Sequence, residues 1–75
     1  MDDQCLNLVD QKQIGKMIKD RRKIMNMTQQ ELAKYCDLSH TGIGKIEMGK
    51  ADVKITTLLK LCKILGLELT IQFKD

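Results

Sequence analysis

Apolar residues recur at three- and four-residue spacing along most of the chain and alternate strictly only near its end, so the pattern predicts helices followed by one strand. Ile14, Met17, Ile18 and Ile24 supply the buried face of a first helix over about 10–25, and Asn26 is a left-handed stop. Leu32, Ala33 and Cys36 face inward on a second helix that begins at Gln29, while Gln30, Lys34 and Tyr35 face solvent or the partner element. Ile43 and Ile46 anchor a third. A connection with apolar Val53 and Ile55 leads into a fourth helix over about 56–65, with Leu58, Leu59, Leu61, Cys62 and Leu65 closing the core and Gly66 stopping it. In residues 67–73, LELTIQF, the period becomes two: Leu67, Leu69, Ile71 and Phe73 alternate with polar neighbours, as in a half-buried strand.

The boundaries have their own chemistry. Thr28 with Glu31 three positions on forms a capping box, and Met27 is the hydrophobic residue before that cap. Ala33 is small enough for two helices to cross steeply after a short turn. Asp37 tolerates the left-handed backbone such a turn requires. Ser39 caps the third helix and Gly49 ends it in the left-handed conformation. Residues 28–50 therefore read as two short capped helices joined by a tight turn, the build of a helix-turn-helix.

A length of 75 residues allows one domain with a modest core, organised as an N-terminal segment (1–9), a helical domain (10–66) and a C-terminal strand (67–75). With no Trp, one Tyr and one Phe, that core is aliphatic. The start, MDDQCLNLVD, lacks the basic-then-apolar profile of a signal peptide, and no apolar run spans a membrane, so a cytoplasmic protein is expected. Cys5, Cys36 and Cys62 fit neither a disulfide framework nor a metal pair, and His40 is the lone histidine, so no metal and no cofactor is expected. No nucleophile-base pair or phosphate loop is present, which argues against an enzyme. The net charge of +3 is mild, but Lys12, Lys16, Lys19, Arg21, Arg22 and Lys23 crowd the first helix and Lys45, Lys50 and Lys54 flank the third. That distribution fits a nucleic-acid partner or a plain solvated face.

TQQELA, the Ser39-x-x-x-Ile43 spacing and the Glu47-x-Gly49-Lys50 ending resemble the phage-repressor (Cro/C1-type, XRE) helix-turn-helix family over residues 14–65. Upstream, IGKMIKDRRKIMNMTQ is similar to that family's first helix. The resemblance implies a mostly α, lambda-repressor-like domain of four to five helices. It also implies that Arg22 pairs with Glu47; a bidentate pair there would hold the reading helix at a fixed angle, the alternative being two solvated surface charges.

A lone strand leaves its backbone groups unpaired, so residues 67–73 are expected to pair with a second copy across a two-fold axis through Leu67, Leu69, Ile71 and Phe73, with a continued helix or frayed tail as the alternative. The run GLELTIQF after a repressor-type domain is similar to the HipB-type antitoxins. That resemblance implies a homodimeric repressor of its own toxin-antitoxin operon that binds a HipA-like kinase toxin. Two alternatives stay open: a stand-alone phage or plasmid repressor, and a protein-interaction module that has lost DNA binding.

If the third helix enters the major groove, its first turns reach base edges, which singles out His40, Thr41 and Lys45. Lys45 would donate to guanine O6 or N7, Thr41 offers a methyl or hydroxyl, and His40 would donate to a purine N7. Ser39 is a cap first and a DNA contact second. By resemblance, Gln29 and Lys50 contact the DNA backbone. Gly42 and Gly44 read nothing; they either allow close approach to DNA or reflect drift at an exposed face. A dimer would demand a pseudo-palindromic operator.

Overall fold

A computed structural model describes residues 10–70 of the chain. Four helices form there: α1 (Gln11–Ile24), α2 (Gln29–Tyr35), α3 (His40–Glu47) and α4 (Ile55–Leu65). Three of them start on a side-chain cap. The Asp10 carboxylate accepts from Lys12 N at 2.8 Å, so Asp10 is the cap of α1 and not its first residue. Thr28 and Glu31 make both bonds of the capping box at the start of α2, at 3.0 and 2.8 Å. Ser39 Oγ accepts from Gly42 N at 2.9 Å and opens α3.

All four helices stop in one way. A residue of positive φ follows each (Asn26 57°, Asp37 56°, Gly49 72°, Gly66 70°), and the next residue's N–H reaches back five positions. Those bonds are Met27 to Arg22 O, Leu38 to Ala33 O, Lys50 to Lys45 O and Leu67 to Cys62 O, at 2.8–3.0 Å. Each satisfies a carbonyl that the helix end would leave unpaired. Met27, Leu38 and Leu67 then fold their side chains onto the core, which turns each stop into a packing contact.

The core is aliphatic: Ile18, Leu32, Ile43, Leu61 and Leu65 are fully buried, with Ala33, Cys36, Ile46, Leu58 and Cys62 around them. Each large side chain so buried contributes about 1.5–3 kcal/mol. Helix α3 packs on both α1 and α2, and α1 also packs on α4. The α1–α3 contact is very close. A Cβ placed on Gly15 would stand 2.3 Å from the carbonyl oxygen of Ile46 and 2.8 Å from that of Glu47, so only glycine lets α1 cross the end of α3 at this distance. Gly49 is doubly constrained, by its left-handed backbone and by Lys12 Cα, 2.7 Å from where its Cβ would be.

The buried face of α1 is therefore Gly15, Ile18 and Arg22, flanked by Ile14. Met17 (46 % exposed) and Ile24 (68 %) lie at its edge, contrary to the periodicity, because a glycine and an arginine occupy positions where an apolar count expects hydrophobes. Leu59 (49 % exposed) likewise sits outside the α4 stripe formed by Leu58, Leu61, Cys62 and Leu65. Helix α4 begins at Ile55, one residue early, without a side-chain cap.

Residues 67–70 hold no strand. Leu67 was expected to open one, but its N–H bonds to Cys62 O and its side chain packs on its own core, so it closes α4 instead. Leu69 is exposed, and Ile71 and Phe73 lie outside the described residues. A single chain offers such a strand no second edge to bond.

Candidate nucleic-acid interface

Helix α3 is clamped at one end and open along one side. Arg22 Nε donates to Glu47 Oε2 at 2.6 Å, Arg22 Nη2 donates to Glu47 Oε1 at 3.1 Å, and Arg22 Nη1 donates to the carbonyl of Met27 at 2.7 Å. Both charged residues are buried, and among the described residues no buried side-chain nitrogen or oxygen lacks a partner. One guanidinium thus joins the last turn of α3 to the stop of α1. Taking two charges out of water costs several kcal/mol per ion, so the fork geometry and the third bond are what make the pair tolerable, and removing one partner would strand the other.

The network continues outward. Gln29 Nε2 donates to Glu47 Oε1 at 3.0 Å, and Gln29 Oε1 lies 2.9 Å from His40 Nε2. The first residue of α2 therefore bridges the buried pair to the first residue of α3. Gln29, assigned to the DNA backbone by resemblance, has two of its side-chain bonds inside the protein; its second amide hydrogen remains.

His40, Thr41 and Lys45 are all exposed on the outward face of α3. With Gln29, Gly44 and Met48 they line one shallow depression. A Cβ on Gly44 would meet nothing closer than Gln29 Nε2 at 3.9 Å, so no internal contact demands glycine there and its effect is to deepen the depression. Met48, 56 % exposed, was missed from the sequence. Its signal was present, since Thr41, Gly44, Lys45 and Met48 share the i, i+3, i+4, i+7 spacing of one helix face. Ser39 Oγ is engaged as the cap, and Lys50 is exposed just beyond the helix. The approach of Gly49 to Lys12 brings the start of α1 to the same edge as Lys50.

The basic crowd on α1 is thinner than its sequence suggests. Arg22 is internal, Arg21 Nε donates to the carbonyl of Leu65 at 2.6 Å, and Lys16 pairs with Asp20 at 2.7 Å. The hydrogen bond from Lys16 lowers the pKa of the Asp20 carboxyl. Burial raises those of the Cys36 and Cys62 thiols, which suits two core side chains. No group of three or more His, Cys, Asp or Glu side chains able to hold a metal forms among the described residues, and none of their helices is long and apolar enough to cross a membrane.

Two short helices joined by a tight turn, the second braced from behind and bare in front, define a helix-turn-helix DNA-binding domain. The helix-turn-helix family model matches residues 18–72, and the chain belongs to that family. It is 33 % identical over 64 residues to the ImmF control region 10 kDa protein of Bacillus phage phi105, covering 85 % of this chain and 71 % of that protein. It is 38 % identical over 52 residues to YonR of Bacillus subtilis strain 168, an SPbeta prophage-derived uncharacterized HTH-type transcriptional regulator, covering 69 % of this chain and 48 % of that one. It is also 34 % identical over 61 residues to the HTH-type transcriptional regulator PuuR of Escherichia coli K12, covering 81 % of this chain and 33 % of that regulator. The chain thus spans most of the phage protein but about half and a third of the other two.

Proposed function

We propose that this chain is a sequence-specific DNA-binding transcriptional repressor that works as a homodimer on a pseudo-palindromic operator. The observation that carries the reading is the bare face of α3, where Thr41 and Lys45 stand beside His40 over a glycine-deepened depression, on a helix fixed from behind by the Arg22–Glu47 pair. Thr41, Lys45 and His40 read bases in the major groove. The second amide hydrogen of Gln29, the Lys50 ammonium and, beside its capping bond, the Ser39 hydroxyl meet phosphates and set the register. The second copy joins through the C-terminal segment, where Leu69, Ile71 and Phe73 alternate with polar residues; Leu67 serves its own core.

The setting this reading favours is a phage-type control protein, since two of the relatives are a phage control-region protein and a prophage-derived regulator. The antitoxin setting rests on the GLELTIQF resemblance alone; co-purification of a HipA-like kinase encoded beside this chain would move the assignment to it.

The test is binding of the full chain to the DNA upstream of its own coding sequence, by anisotropy at two salt concentrations. Affinity should fall steeply with salt through release of counterions, and Lys45→Ala should weaken and broaden the sequence preference. Binding that is indifferent to sequence and to Lys45→Ala would refute the groove assignment. For the dimer, Ile71→Asp should give monomers by sedimentation, and an unchanged dimer would rule out pairing through the C-terminal segment.

A further inference from the structure

The hydrogen-bond chain from the interior to α3 has a direction, and it fixes what His40 can offer to DNA. The Glu47 carboxylate, paired with Arg22, has only acceptor atoms, so the Gln29 atom facing it at 3.0 Å has to be the amide nitrogen. The other end of the Gln29 side chain is then its carbonyl oxygen, which also only accepts. His40 Nε2, 2.9 Å away, has to carry the hydrogen of that bond. In the neutral ring this leaves Nδ1 bare, a lone-pair acceptor with no hydrogen-bond partner among the described residues, on an exposed side chain at the first position of α3.

We infer that His40 reads DNA through Nδ1 as a hydrogen-bond acceptor, with Gln29 as the positioning residue, and so selects an exocyclic amino group, adenine N6 or cytosine N4, at its base step. This rests on the reading of the chain as a groove-binding protein and reverses the sequence expectation that His40 donates to a purine N7. The major groove presents amino donors only on adenine and cytosine, whereas the purine N7 and guanine O6 are acceptors that a bare Nδ1 repels. The buried pair therefore sets the polarity of a contact two residues away: Arg22 makes Glu47 an acceptor, Glu47 turns the Gln29 amide, and Gln29 sets the tautomer of His40.

The test uses the full chain and a duplex enriched by it from a randomised pool. The step read by His40 is the one at which His40→Ala relaxes the base preference. There, replacing adenine by purine or cytosine by 2-pyrimidinone, each lacking the amino group, should weaken wild-type binding about tenfold and leave His40→Ala unaffected. A 7-deaza purine at the same step should leave wild-type affinity within about twofold, because no N7 contact is made. In Gln29→Leu the penalty for amino deletion should shrink towards that of His40→Ala. Independently of any variant, nitrogen-15 NMR of the free protein should show that the neutral form of the ring carries its proton at Nε2 and is bare at Nδ1. A loss on 7-deaza substitution with none on amino deletion, a neutral ring protonated at Nδ1 and bare at Nε2, or a His40→Ala protein with unchanged preference at every step would overturn the inference. Failure of the pool to yield any preferred duplex would instead remove the DNA-reading function itself, and this inference with it.

Discussion

The two sides of α3 are built on opposite terms. On the inner side, Ile43, Ile46 and Glu47 are buried, Gly15 lets a neighbouring backbone within touching distance, and no buried side-chain nitrogen or oxygen among the described residues lacks a partner. On the outer side, His40, Thr41, Lys45 and Met48 are exposed around Gly44, and among the described residues only His40 is held by a side-chain bond. Eight residues cannot make a stable helix alone. Rigid presentation of a few side chains thus depends on the inner side, and under the proposed function the outer side is free to vary with the sequence to be read. Among the described residues, Gln29 is the one side chain that bonds to both.

The strongest way to break this contrast is Arg22→Ala. It leaves the Glu47 carboxylate buried without its charge partner, and it should cost about 3–5 kcal/mol in denaturant unfolding. A domain of this size has roughly 4–11 kcal/mol in total, so the variant is expected to be marginally folded. A change below about 1 kcal/mol would mean that the clamp is a solvated pair after all.

Gly15→Ala comes next. Its added Cβ would meet two backbone carbonyls that have no rotamer to escape into, so α1 and α3 must separate, at about 1–3 kcal/mol. Because α3 moves with the contact, DNA affinity should fall although Gly15 is remote from the reading face; stability and affinity unchanged together would disprove the close crossing.

On the outer side the effects should leave folding alone. Lys45→Ala is expected to cost about 1–3 kcal/mol of binding and to relax preference at one base step, and Lys50→Ala to weaken all sequences evenly and reduce the salt slope by about one. Unfolding curves of both should overlay the wild type, and the opposite distribution of effects would exchange the two roles. The smallest effect is a gain. Asp37→Gly relieves a left-handed residue in the turn between α2 and α3 and should stabilise by up to about 1 kcal/mol, with no change in the bases preferred.

Much of this frame was legible in the chain. Thr28, Glu31, Ser39, Asn26, Asp37 and Gly49 act within a few residues of themselves, and caps and stops of that kind depend on local chemistry that the sequence displays directly. The Arg22–Glu47 contact, 25 positions apart, came from resemblance and not from spacing. What stayed hidden was set by tertiary approach. Gly15 looks like an ordinary weak spot in a helix until α3 is placed on it, and Met17 and Ile24 look buried until Arg22 takes the inner stripe. Met48 joins the site because the outer face of α3 continues past its last turn. Leu67 fits a strand by sequence because alternation and a helix stop share their first residue, and the bond to Cys62 tells them apart.

The most direct test of the account is amide chemical-shift mapping of the full chain on titration with an enriched duplex. Large shifts are expected at Gln29, His40, Thr41, Gly44, Lys45, Met48 and Lys50, with α4 nearly silent. Shifts concentrated on the exposed Ile55 and Leu59 edge of α4, with α3 unmoved, would contradict it.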